Sequence, residues 1–268
     1  MLAKFLLAIT HRSPSLRRWL WKRWYEYLAG YRLPDWSFMN YGFERTGALD
    51  KWLELEAADE PDRYCIQLYH QVAAAIDLEG LDVLEVGSGR GGGASYVRRY
   101  LKPRSLTGVD FSPKAVEFCR RRHPIDGLSF VVGDAESLPF EDASFDAVIN
   151  VESSHCYGSL AAFFGQVKRV LRSGGHFLHA DFCPPADADA VRRQLEETGL
   201  TLLEAEDITA NVVRALELDN ARKVALIQSH TPRWLSKTFE QFAGVQGSEI
   251  YELLRSGALV YRRHRLRK

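Results

Sequence analysis

The sequence predicts an α/β fold: a mostly parallel seven-stranded sheet with helices on both faces and a helical lid. Three observations carry that prediction. From residue 81 onward, short apolar runs alternate with segments of helical periodicity. Those segments are long enough for the crossover helices that parallel strands need. Five glycines crowd into residues 87–93, directly after the first apolar run, and in open parallel sheets a ligand binds beyond such a strand end.

The elements follow in order. "LDVLEVG" is the first strand, and "SYVRRYL" continues the helix after the glycines. "SLTGVDF" is the second strand; in "SPKAVEFCRRRH", Ser112 is the N-cap and Pro113 takes the first helical position, where its missing N–H costs nothing. "LSFVVGDA" and "FDAVINVES" are the third and fourth strands, the latter followed by the helix "LAAFFGQVKRVL". After a turn at "RSGG", "HFLHADF" is the fifth strand, "ADADAVRRQLEETG" a helix closed by Gly199, and "LTLLEAEDI" the sixth strand. "GALVYRRHRLRK" alternates enough to be a closing edge strand. Two regions depart from the alternation. Residues 1–80 carry aromatic and basic clusters and then a helix, "PDRYCIQLYHQVAAAIDLEG"; residues 209–250 read as one or two helices. The expected organisation is therefore an N-terminal helical cap over 1–80, a ligand-binding core over 81–208, and lid helices with the closing strand over 209–268.

Composition narrows the function. With 46% apolar and 26% charged residues, the 268-residue chain has an ordinary globular composition. Basic and acidic residues balance at 35 each, giving no overall pull toward nucleic acid. Cys65, Cys119, Cys156 and Cys183 have no CxxC spacing, so a reduced, cytoplasmic setting is expected. No apolar run approaches the roughly 18 residues of a spanning helix. Residues 1–10 are apolar, but basic and aromatic residues follow in place of a small-residue cleavage site.

The glycine loop admits few ligands. A nucleoside-triphosphate loop is excluded because no Gly-Lys-Ser/Thr follows. Gly87, Gly89 and Gly92 satisfy G-x-G-x-x-G, and Asp110 lies about 20 residues beyond, where a ribose-binding acid belongs. The surrounding motifs separate the remaining candidates. Glu85-Val-Gly87-Ser-Gly89-Arg-Gly91, "GVDFS", "GDAESLPFEDASFD" and "RVLRSGGHF" stand in that order. In these the chain resembles the class I S-adenosylmethionine-dependent methyltransferases over roughly residues 80–182, which implies the Rossmann-like methyltransferase fold and S-adenosyl-L-methionine as cofactor. A nicotinamide oxidoreductase is disfavoured by "GDAESLPF" and by the lack of a hydride-transfer motif.

The resemblance assigns roles. Gly87 and Gly89 would let the cofactor approach the backbone, and Glu85 would supply negative charge near its cationic portion. Asp110 would take the ribose hydroxyls, a bidentate task suited to a carboxylate. Phe111 would pack on adenine, Asp134 accept from its amino group, and the Ala135 amide donate to its ring. "MNYGFE" resembles an aromatic segment that precedes the core in small-molecule methyltransferases of natural-product and lipid pathways. "AADEPDRYCIQLYHQ" and "NVESSHCY", with "FAGVQGSEIYELLRSGALVYR" toward the end, resemble the phthiotriol and phenolphthiotriol dimycocerosate methyltransferases. That group implies O-methylation of a hydrophobic lipid or polyketide-like acceptor. C-methylation of a sterol- or quinone-like acceptor is the runner-up, and a non-catalytic cofactor-binding module is the alternative from another class.

His155 is the candidate catalytic residue. It follows the fourth strand, where an acceptor hydroxyl must lose its proton as oxygen attacks, and a histidine titrating near neutrality can take it. Glu152, His155 and Asp181 end neighbouring strands, but their spacing is no metal signature, and no metal is expected. His70, His176 and His179 read as structural, and Cys156 as a small buried residue. In "SPSLRRWLWKRWYEYLAGYRL", Trp19, Trp21 and Trp24 alternate with Arg17, Arg18 and Arg23. Such a pattern suits either a helix packed over the site mouth or peripheral contact with a membrane surface.

Overall fold

The structure is a computed structural model that describes residues 36–47 and 53–268. The basic-aromatic segment at residues 13–33 lies outside the described residues. Seven strands form one sheet in the order β3-β2-β1-β4-β5-β7-β6. They are β1 (Asp82–Val86), β2 (Ser105–Asp110), β3 (Leu128–Val132), β4 (Phe145–Val151), β5 (Leu171–Cys183), β6 (Thr201–Asp207) and β7 (Val260–Arg267). The strands from β3 across to β5 are parallel; β7 runs antiparallel to both β5 and β6. The order reverses between β1 and β4, so the glycine loop after β1 opens at the point where ligands bind in such sheets.

The described helices are α1 (Arg63–Ala73), α2 (Gly92–Tyr100), α3 (Pro113–Arg122), α4 (Leu160–Val170), α5 (Pro185–Glu197), α6 (Thr209–His230), α7 (Arg233–Ala243) and α8 (Glu249–Arg255). Ser112 caps α3 as expected, its side chain accepting from the Ala115 amide with Pro113 beginning the helix. Two apolar layers sandwich the sheet. Val83, Tyr96, Ile66, Leu68 and Tyr261 pack on one face; Leu84, Val86, Phe163, Phe164 and Phe177 pack on the other. A satellite cluster of Ile227, Leu235, Phe239 and Val245 joins the lid helices. No helix of the described residues is long and apolar enough to cross a membrane.

Three expectations need correction. β7 is an interior strand and β6 is the edge. The charges explain the exchange: Glu204 and Glu206 on β6 pair with Arg263 and Arg265 on β7, and a short charged strand is what an exposed edge tolerates. "RSGG" is no turn between elements but part of β5, with a register shift opposite Phe145 and Ala147 and with Gly174 at φ +79°, the left-handed conformation of a bulge glycine. The helix read over residues 61–80 stops at Ala73. The region read as one or two helices over residues 209–250 holds α6 and α7, and a short α8 follows it, where Ser248 caps the helix by accepting from the Tyr251 amide.

Candidate active site

The parallel strands deliver their carboxyl-end residues to one rim. Gly87 and Gly89 adopt φ +79° and +53°, a region that residues with a Cβ enter only at a cost. The Gly87 and Ser88 amides donate to the Val109 carbonyl at 2.8 and 3.1 Å, tying the loop to β2. Asp110, the last residue of β2, accepts from the Gly89 amide at 2.8 Å and the Ser112 amide at 2.9 Å. Burial pushes its carboxyl up to about 6 against those two bonds. Beside it, Phe111 is 36% exposed, a flat apolar face at the rim. Asp134 and Ala135 follow β3; the Asp134 side chain accepts from the Glu136 amide, and the Gly133 amide donates to the Asp110 carbonyl. Glu136 in turn accepts from the Gly158 amide at 2.8 Å, bridging the β3 loop to the turn that carries His155.

Glu85 is 2% exposed and accepts from the Tyr69 hydroxyl at 2.7 Å. Its other oxygen is buried with no hydrogen bond, although the Ala94 amide at the head of α2 lends it some stabilisation. Burial lifts this carboxyl to about 7. The Ser88 hydroxyl and the Asn150 carbonyl oxygen, also at this rim, are buried without partners too. Unpaired buried acceptors are rare in native proteins; their concentration here suits a ligand that brings donors and a positive charge.

The turn Ser154–Cys156 after β4 presents His155. The His155 Nδ1 lies 2.8 Å from Asp181 Oδ1, and its amide donates to Asp181 Oδ2 at 2.9 Å. Asp181, near the end of β5, also accepts from the Ser154 hydroxyl at 2.6 Å and from the Phe182 amide at 2.8 Å. Burial opposes a charge on His155, but Cys156 beside it and the Asp181 carboxylate outweigh that and hold the imidazole well above its ordinary value. Burial likewise works against the Asp181 carboxylate; His155 outweighs it and holds the carboxyl down at about 2. The Phe182 ring lies 4.5 Å from the imidazole, centre to centre.

This turn touches the glycine loop. A Cβ on Gly87 would stand 2.4 Å from the Ser153 hydroxyl and 2.9 Å from the Tyr157 hydroxyl, and Asn150 donates to both the Val86 carbonyl and Ser153. Thus Glu85, Gly87, Gly89, Asp110 and His155 belong to one connected rim, with Phe111, Asp134 and Ala135 on its β2–β3 side. The glycines also admit the protein's own side chains: a Cβ on Gly89 would meet the Met39 methyl at 2.5 Å. Met39 belongs to a strap, residues 36–43, which covers the loop. The Gly92 amide donates to the Ser37 carbonyl, Arg90 donates to the Trp36 carbonyl, and Trp36 reaches Phe239 and Phe242 of α7.

Several participants were not singled out from sequence. The sequence places Asp181 in "HADF" at a strand end neighbouring that of His155, but it does not show that the two side chains pair. Tyr41 and Tyr261 converge on Glu152 Oε2, by backbone amide at 2.9 Å and hydroxyl at 3.1 Å. Glu152 adopts φ +50°, a strained conformation for a residue with a side chain, and burial raises its carboxyl to about 8. Tyr69, one position before His70, is the α1 residue that reaches the rim; His70 instead meets the Tyr96 hydroxyl at 2.6 Å. Cys156 is half-buried rather than fully buried.

Comparison with known proteins gives the family of the chain. Residues 84–179 match the methyltransferase domain family model. The chain is 42% identical over 251 residues to the phthiotriol/phenolphthiotriol dimycocerosates methyltransferase of Mycobacterium tuberculosis, covering 93% of this chain and 92% of that one. It is 42% identical over 228 residues to the fatty-acid O-methyltransferase of Mycolicibacterium smegmatis, covering 85% and 82%. Among solved structures it resembles the geranyl diphosphate C-methyltransferase of Streptomyces coelicolor A3(2), in complex with S-adenosyl-L-homocysteine. The TM-score is 0.65 at 18% identity, covering 94% of this chain and 97% of that one, a likeness of fold.

Proposed function

Because the chain belongs to the family of S-adenosylmethionine-dependent methyltransferases that includes the phthiotriol/phenolphthiotriol dimycocerosates methyltransferases, we propose that it methylates a hydroxyl of a hydrophobic lipid or polyketide-like molecule. The observation that carries the oxygen-directed reading is the His155–Asp181 pair, held against the glycine loop. An aliphatic hydroxyl does not give up its proton unaided near neutral pH; methylation of carbon also releases a proton, and the name of the fatty-acid O-methyltransferase relative favours oxygen over carbon. The names of two relatives, acting on dimycocerosates and on fatty acids, support the lipid class.

When bound, S-adenosylmethionine supplies an electrophilic methyl group on a sulfonium. The residues at the rim suit it. The unpaired Glu85 oxygen fits its positive charge, Asp110 can accept from a diol while keeping its two backbone bonds, and Phe111 offers a face for adenine. Asp134 and the Ala135 amide complete the adenine end. Burial opposes a charge on His155 but Cys156 and Asp181 outweigh it, so its neutral form is reached above the ordinary imidazole range. In that form His155 takes the acceptor proton at Nε2, the nitrogen not engaged by Asp181, and Asp181 holds the ring and stabilises the imidazolium that results. Glu152, neutral at pH 7 by virtue of its burial, buttresses the strap and β7 rather than competing for that proton. In this reading α6–α8, with the strap, form the lid that shapes the acceptor pocket and excludes water. The N-terminal basic-aromatic segment would add contact with the surface of a membrane holding such an acceptor.

Incubation with a radiolabelled methyl donor and candidate lipids tests the proposal. Label recovered as an ether methyl supports it; label recovered as a methyl ester or on carbon overturns it.

A further inference from the structure

We infer that His264, His179 and Ser154 are positioning residues: they form a buried hydrogen-bond chain of one fixed direction that holds the Asp181 carboxylate and sets which nitrogen of His155 faces the acceptor. The inference deepens the base reading above and rests on it for its catalytic meaning.

The chain is built by strand register. His179 on β5 stands directly opposite His264 on antiparallel β7, and their Nδ1 atoms are 3.2 Å apart. The His179 Nε2 lies 3.0 Å from the Ser154 hydroxyl oxygen, and that hydroxyl donates to Asp181 Oδ2 at 2.6 Å. All three residues are shielded from water, at 4% exposure for Ser154, 2% for His179 and 5% for His264.

Proton counting fixes the direction. A serine hydroxyl has one hydrogen, and an ionised carboxylate can only accept. Ser154 therefore spends its hydrogen on Asp181, and His179 must donate to the Ser154 oxygen from Nε2. Burial holds the His179 imidazole down at about 4 and His264 at about 3, so each ring carries one N–H near neutral pH. The His179 Nδ1 is then an acceptor, and His264 must donate to it from Nδ1. At the other end, the Asp181 carboxylate takes the Nδ1 hydrogen of neutral His155, which leaves Nε2 as the nitrogen without a hydrogen. Each donation polarises the next, and together they spread the carboxylate's charge.

Other groups also face His155 and Asp181. Cys156 lies in the same turn, Glu152 at the end of β4, Cys183 on β5, Tyr41 in the strap and Tyr261 on β7. None of them is removed by the substitutions that follow.

Nitrogen NMR of the full chain with labelled histidine tests the inference without turnover. Between pH 5 and 9, His179 is expected to remain neutral with its hydrogen on Nε2, and His264 neutral with its hydrogen on Nδ1. In S154A the carboxylate loses a donor and grips the imidazolium harder, so His155 should hold its proton to a pH higher by about half a unit or more. S154T, which restores the hydroxyl, should bring the titration back. H179F, a ring of similar size beside Phe164 and Phe177, should shift it in the same sense by less. A His179 hydrogen on Nδ1, a His179 that titrates in that range, or an unmoved His155 in S154A overturns the chain. A rate profile that does not follow the NMR titration of His155 overturns the base reading instead.

Discussion

Replacing Asp181 with asparagine isolates what the carboxylate does for His155. Asp181 accepts four hydrogen bonds, two on each oxygen. Asparagine keeps one acceptor and turns the other position into an NH₂ group. Whichever way it lies, a donor then faces two donors. Losing a hydrogen bond between ions costs about 1.5–3 kcal/mol, which converts to about 1–2 units in the titration of His155. The charge that holds the imidazole above its ordinary value is gone, so His155 should lose its proton at lower pH. The acidic limb of the turnover–pH curve should move down by the same about 1–2 units. The plateau above it should still fall roughly 10²–10⁴-fold, because the base is weaker and the amide can hold the wrong tautomer. The assay is methyl transfer at saturating donor from pH 5 to 10, with donor affinity measured by calorimetry as a control. Turnover within a few-fold of wild type, or an acidic limb that stays in place, would refute the reasoning.

Three other outcomes are expected. D110A should weaken S-adenosylmethionine binding by about 1–3 kcal/mol in calorimetry, as charge-assisted bonds are lost; equal affinity would remove Asp110 from the cofactor site. Glu152 titrates higher folded than unfolded, so the folded form keeps a proton that the unfolded form has lost. Wild-type stability should therefore fall as pH rises from about 4.5 toward the folded value of about 8. E152Q, whose amide oxygen can accept the same two bonds, should lose that part of the slope and melt higher than wild type at pH 9 in a thermal scan. In G93A the new methyl would sit 1.9 Å from the Tyr69 ring, displacing the hydroxyl that Glu85 accepts from, and the melting temperature should drop by the equivalent of about 1–3 kcal/mol.

The core of the fold could be read because its signals are local. Periodicity and glycine placement fixed β1–β4, and Ser112 with Pro113 marked the start of α3. What failed depends on pairing across distance. Nothing in "GALVYRRHRLRK" by itself says whether its alternating faces meet one neighbour or two; only Glu204 and Glu206 opposite Arg263 and Arg265 decide that. The rim residues from Glu85 to Ala135 could be named because a single loop and two strand ends carry them. Asp181 could be set near His155 as the acid of a neighbouring strand end, but their pairing through Nδ1 depends on the register of β4 on β5. The strap was opaque for the same reason, because "MNYGFE" does not announce that Met39 will lie on Gly89.

The interior position of β7 also bears on how the enzyme is assembled. Among the described residues β6 pairs in the sheet with β7 alone, so it stays unattached until β7 has inserted beside β5. The same strand brings Tyr261 to Glu152 and His264 to His179. Closing the sheet and furnishing the site are thus a single late event that joins residues far apart in sequence, the kind of contact that slows folding. A chain stalled before that event can hold a formed glycine loop while lacking two of the residues that support its reactive side. In refolding, the recovery of donor binding should accordingly run ahead of the recovery of methyl transfer.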